Sequence, residues 1–115
     1  MKNKKSGYLS NLPEPPYYVV VFVSQLSSEN EGYAEAAQCM MQLANEQSGF
    51  LGVDSVRENK TGITVSYWKD ESSILSWKQQ QEHMHAQKMG RSQWYDEYSI
   101  HIAKVERSYN FKRDA

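Results

Sequence analysis

The stretch YYVVVFVSQ, Tyr17 to Gln25, constrains this chain more than any other. It is rich in β-branched and aromatic residues, with prolines before it and serines after it, and so reads as a strand. Side chains alternate along a strand, which puts Tyr17, Val19, Val21 and Val23 on one face and Tyr18, Val20 and Phe22 on the other. Both faces are apolar, and both need cover.

The segments that follow supply cover for one side only. SSENEGYAEAAQCMMQLANEQSG has helical spacing, with Tyr33, Ala36, Ala37, Met40, Leu43, Ala44 and Gln47 along one side. Ser28 with Glu31 fits a capping box at its start, and Gly49 stands where a left-handed residue would end it. FLGVDSVREN and GITVSYW read as two strands of a hairpin joined through Asn59-Lys60-Thr61-Gly62, with Gly62 as the permissive residue. A second helix is expected from about Asp70 to Gly90, and YSIHIAKVERSYNF as the last strand.

The order βαββαβ predicts a ferredoxin-like α+β fold: a four-stranded antiparallel sheet with both helices on one face. Two helices leave the other face bare. A large uncovered apolar sheet is rare on a soluble monomer, so the expected partner is a second copy, a homodimer formed through the open face.

With 115 residues the chain has room for one domain, expected over residues 17–112, behind a flexible or extended arm at 1–16 that holds all three prolines. Net charge is −1 with both signs interspersed, which speaks against a nucleic-acid partner. The lysines at the start precede no apolar run, and no stretch approaches the roughly 20 apolar residues of a membrane span. Cys39, the single cysteine, can form no internal disulfide, and a reduced, cytoplasmic setting is the simplest reading.

The sequences GFLGVDSVR, GITVSYWKDESSILSWK, EHMHAQKMGRSQWYDEY and VERSYNF, in this order and spacing, resemble the antibiotic biosynthesis monooxygenase (ABM) family over roughly Tyr17 to Phe111. The resemblance implies a dimeric α+β barrel in which two sheets pack face to face and each subunit keeps a pocket between sheet and helices. It implies several activities: cofactor-independent oxygenation of aromatic polyketides, quinol oxygenation and heme degradation, with other members having no assigned reaction.

Candidate site residues cluster around the second helix. Trp77 shares its side with Ile74, Gln81, Met84, His85 and Lys88, and is either a core anchor or a pocket wall, or both. His83 and His85 diverge by about 200° on a continuous helix and cannot bind one metal there. The helical wheel puts His85 beside Trp77; the resemblance instead favours His83 as the inward residue, which requires a break near Gln81 or Glu82. Either imidazole, titrating near neutral pH, could exchange a proton with a phenol or enol, so both are catalytic candidates. Trp68, Ser66 or Tyr67 from the third strand, Ser24 at the end of the first, and Trp94 are candidates for binding substrate. Ser66 and Tyr67 point to opposite faces, so only one of them sees the pocket. Arg91, Trp94, Tyr95 and Tyr98 gather after the helix, and His101 is expected to be buried or at an interface.

No glycine-rich dinucleotide fingerprint, paired carboxylate site or nucleophile elbow is present. The heme-degrading pattern that the resemblance brings pairs a helix tryptophan with a histidine ten positions on; Trp77 matches, but Gln87 stands in the second place, which disfavours heme. The leading expectation is therefore a small monooxygenase for an aromatic or quinone-like compound, without tightly bound flavin or metal. A non-catalytic ligand-binding dimer on the same scaffold is the alternative, and a heme-degrading enzyme the third.

Overall fold

The computed structural model describes residues 9–87 and 94–114, with the backbone alone for 83–87. The chain runs β1 (Tyr17–Leu26), α1 (Tyr33–Asn45), β2 (Phe50–Glu58), β3 (Thr61–Trp68), α2 (Glu71–Gln87) and β4 (Tyr95–Val105). The four strands form one antiparallel sheet in the order β2-β3-β1-β4. This is the ferredoxin-like α+β architecture expected from the order of the segments. β1 and β3 lie inside the sheet, and β2 and β4 are the edges.

Both helices lie on the face that carries Tyr18, Val20, Phe50 and Trp68. There, Trp68 is fully buried. It stacks on Trp77 of α2 with ring centroids 6.0 Å apart and meets Phe50 edge-on at 5.3 Å. Ala44 of α1 and Ile74 of α2 complete this core, with Met40 and Leu43 packed against it. Aromatic pairs in these geometries add attraction beyond the area they bury.

Several local details differ from the sequence expectation. α1 begins at Tyr33 with Gly32 as its N-cap at φ 87°, and no side chain caps it, so Ser28 and Glu31 form no capping box. The approach to the helix is held from elsewhere: Trp94 donates its indole N–H to the Glu31 carbonyl at 3.0 Å, and the Ser27 amide donates to the Trp94 carbonyl at 2.7 Å. At the other end α1 stops at Asn45, capped by Glu46 in a right-handed conformation, so Gly49 does not act as a left-handed stop. Gly49 is needed for space instead, because a side chain there would collide with Ser73. In the hairpin the turn is Asn59-Lys60, and Asn59, not Gly62, takes the left-handed backbone at φ 57°. Asparagine tolerates that region well.

α2 starts on Asp70, whose Oδ1 accepts the Ser73 amide at 2.9 Å and the Ser72 hydroxyl at 3.2 Å. These bonds, those to Ser73 foremost, hold the Asp70 carboxyl below its usual range. The helix then runs unbroken through Gln81 and Glu82 to Gln87, without the interruption that an inward His83 was expected to require. β4 begins at Tyr95, earlier than the expected Tyr98, and ends at Val105.

On the opposite, open face lie Val19, Val21 and Val23 of β1, Val65 and Tyr67 of β3, and His101 of β4. His101 is exposed, which removes the buried option for it. Part of the lead-in segment docks at the β2 edge: Ser10 donates from its amide (3.2 Å) and hydroxyl (2.9 Å) to Asp54 Oδ1, and its hydroxyl also lies 2.9 Å from the Val53 carbonyl. After Val105 the chain continues without regular structure, with Tyr109 and Phe111 84% and 86% exposed. Among the described residues no helix is long and apolar enough to cross a membrane.

Candidate functional site

Antiparallel pairing aligns the helix-side residues in four rungs, each crossing the sheet in the order β2, β3, β1, β4. Phe50, Trp68, Tyr18 and Lys104 make the rung beneath the core. Next come Val53, Ser66, Val20 and Ile102, then Ser55, Thr64, Phe22 and Ile100. The last rung is Arg57, Gly62, Ser24 and Tyr98. Residues opposite each other in such a ladder share a face, so every one of these side chains looks toward the helix side.

At the β4 edge every rung opens to solvent, since Lys104, Ile102, Ile100 and Tyr98 are all exposed. Ile100 and Ile102 are 48% and 55% exposed although they lie on the helix side of the sheet. Their rungs form the floor of a trough, with the hydroxyls of Ser55, Thr64 and Ser66 on the β2–β3 half and Val20, Phe22, Ile100 and Ile102 on the β1–β4 half. Ser55 and Thr64 are hydrogen-bonded at 2.8 Å. Ser66 accepts the Trp68 indole N–H at 2.9 Å, which leaves its own hydroxyl proton to donate.

A polar cluster closes one end of the trough. Gly62 has no side chain, so the Arg57 guanidinium lies across β3, where a Cβ on Gly62 would strike it. One of its terminal nitrogens donates to Ser24 Oγ at 3.0 Å and to the Tyr33 hydroxyl at 3.1 Å; the other donates to the Lys60 carbonyl at 2.9 Å. Ser24 is 3% exposed, and the arginine satisfies its oxygen. Tyr33 shares a hydrogen bond with Tyr95, whose phenol is pushed well above its ordinary value, first by burial and then by Tyr33. Phe22, Tyr95 and Tyr98 pack against one another with centroids 5.5 to 5.6 Å apart. Trp94 backs the cluster, edge-on to Tyr33.

The structure thus brings the predicted site residues together in two groups. Trp68, Trp77 and Ser66 meet at the core end of the trough, where the indoles are buried and Ser66 reaches the floor. Ser24 and Trp94 belong to the cluster at the other end, with Tyr95 and Tyr98 of β4. Tyr67 lies on the open face, edge-on to Tyr17, and donates to Asp54 Oδ2 at 2.9 Å; of the pair Ser66 and Tyr67, the serine sees the trough. Burial first and Asp54 second push the Tyr67 phenol up to about 12. The side chains of His83 and His85, and the whole of Arg91, lie outside the described residues. Sequence reasoning missed Arg57 and the part played by Tyr33. The hairpin held a signal for the first: it pairs a strand arginine with a glycine, an arrangement that lets a long side chain cross the sheet. A separate open depression on the other face, lined by residues including Gln25, Val56, Glu58 and Ile63, touches none of the predicted site residues.

The family model for the antibiotic biosynthesis monooxygenases matches residues 16–89, well over half of the chain. The chain belongs to the antibiotic biosynthesis monooxygenase family. Among its relatives, the uncharacterized protein YqjZ of Bacillus subtilis (strain 168) is 48% identical over 108 residues, covering 93% of this chain and 95% of YqjZ. Among solved structures, PA3566 from Pseudomonas aeruginosa is similar with a TM-score of 0.63 at 12% identity, over 84% of this chain and 99% of that one. A protein of unknown function from Nitrosomonas europaea, NE2512, reaches 0.61 at 13% identity, over 88% of this chain and all of that one. At such identities these two structures speak for the ferredoxin-like fold alone.

Proposed function

We propose that this ABM protein is a small monooxygenase for an electron-rich aromatic compound of the phenol, hydroquinone or anthrone type. The observation that carries this reading is the trough on the helix side of the sheet, half hydroxyl-lined and half apolar, where Ile100 and Ile102 stay exposed. A planar ring can lie on Phe22, Ile100 and Ile102 while its oxygens meet Ser66 and Thr64. Once deprotonated, such a substrate can itself reduce oxygen. In an anthrone the reacting CH₂ loses two hydrogens and gains one oxygen atom, and the second oxygen atom leaves as water, so no tightly bound flavin or metal is required. His83 and His85 are the candidates for the base. The protein works as a cytoplasmic homodimer, in which the partner covers Val19, Val21 and Val23 on the open face; the exposed Tyr109 and Phe111 support this.

Oxygen uptake with a panel of hydroquinones and anthrones tests the reading. Turnover is expected in the wild type, with a loss of about 10²-fold or more in His83→Ala or His85→Ala if that histidine is the base. Uptake no faster than the uncatalysed rate across the panel sinks it. One observation favours a second reading, a binding protein without turnover: the described floor of the trough presents hydroxyls and a guanidinium but no carboxylate or imidazole. In that case the panel binds without consuming oxygen. A Soret band on adding heme would instead revive heme degradation.

A further inference from the structure

Arg57 stands out among the groups that the proposed chemistry leaves unused. Its guanidinium is half-buried at the end of the trough, and its three hydrogen bonds go to neutral oxygens of Ser24, Tyr33 and Lys60. The fork has further N–H donors beyond these three. Lys78 and Glu82 form an ion pair on α2, far from this cluster in the chain. A cation held by neutral acceptors alone still favours an anion, because a hydrogen bond to an ionised oxygen is roughly twice as strong as one to a neutral oxygen. The surroundings fit a flat partner: Tyr98 pairs with Ser24, the acceptor of Arg57, its ring lies 5.5 Å from that of Phe22 in the adjoining rung, and the Thr64 and Ser55 hydroxyls share that rung with Phe22.

We infer that Arg57 anchors an aromatic carboxylate: the ligand of this trough is a planar aromatic acid, its carboxylate on the guanidinium and its ring on Phe22 and Tyr98 over Thr64. Gly62 is part of the device, since any side chain there pushes the guanidinium off the rung. The ring of the ligand then extends toward Ser66, and the carboxylate sets which edge of the ring faces α2. This inference rests on the reading of the trough as the substrate site and adds the charge of the substrate to it.

The test compares 2-naphthoate with its neutral isostere 2-naphthamide by quenching of tryptophan fluorescence. The acid is expected to bind the wild type about tenfold or more tighter than the amide, in line with a charge-assisted hydrogen bond in a partly desolvated site. Arg57→Gln is expected to abolish that preference while amide binding persists, which shows that the trough is intact; Arg57→Lys keeps part of it. Gly62→Ala, which retains the arginine, is expected to weaken acid binding alone and serves if Arg57→Gln does not fold. Equal binding of acid and amide, failure of both to bind the wild type, or a preference that survives Arg57→Gln overturns the inference. Oxygen uptake separates the two proposals: turnover of neutral hydroquinones without any acid preference removes the carboxylate anchor and spares the monooxygenase, whereas acid preference without turnover does the reverse.

Discussion

The two ends of the helix-side face exclude water by different means. At the α2 end Trp68, Trp77, Phe50, Ile74 and Ala44 form a dry contact in which the Trp68 indole N–H is passed on to Ser66. At the α1 end Ser24 is as deeply buried as that core, yet its surroundings are an arginine and the phenols linked to it. Dispersion and apolar burial sustain the first end and tolerate no gap. Directional bonds sustain the second, and a bond can be exchanged for one to a ligand at little net cost. The comparison teaches where stability and recognition are separated on one small sheet.

The strongest way to break this contrast is Trp68→Ala, which empties the centre of the dry end. A loss of about 3–5 kcal/mol is expected, read from the urea midpoint. A loss below about 1 kcal/mol would mean that the core lies elsewhere. Ser24→Ala probes the other end. The Arg57 guanidinium is only half-buried and can turn to water, so the expected cost is about 1 kcal/mol, the net value of one hydrogen bond. A cost equal to that of Trp68→Ala would erase the distinction between the ends.

The smallest effect sharpens the comparison from the reverse side of the sheet. Tyr67, directly after Ser66, is held neutral to about 12 by burial and then by Asp54. A phenol whose folded pKa lies above its unfolded value of 10 contributes stability that is complete below pH 10 and disappears as pH rises through about 12. Asp54→Asn is expected to lower the Tyr67 titration part of the way toward 10, seen as phenolate absorbance, and to loosen Ser10 with it. An unmoved titration would assign the whole shift to burial.

Much of the architecture was legible in the residues. The order of strands and helices, the single sheet and the two helices on one side followed from period-two and 3.6-residue patterns together with punctuation by proline, glycine and serine. Local details were less legible where a distant residue competes for the same backbone. Ser28 and Glu31 look like a cap, but Trp94, 63 positions after Glu31, takes the Glu31 carbonyl and sets the approach to α1. Gly62 looks like a turn residue because glycine permits unusual backbone; here it is small for the sake of Arg57, a reason that appears only when β2 and β3 are laid side by side. Ser24 was legible as a polar end to an apolar strand, but its partner lies 33 residues away.

By itself the sequence determined that β1 needs cover on both faces and that two helices supply it on one face only, because alternation along a strand fixes which side chains share a face. Tertiary structure alone decided that Arg57, Gly62, Ser24 and Tyr98 share one rung and that Ile102 and Ile100, in the two rungs beside it, stay exposed. Register is the physical reason. A strand's own pattern says which side chains share a face, but only pairing between strands says which of them meet across it.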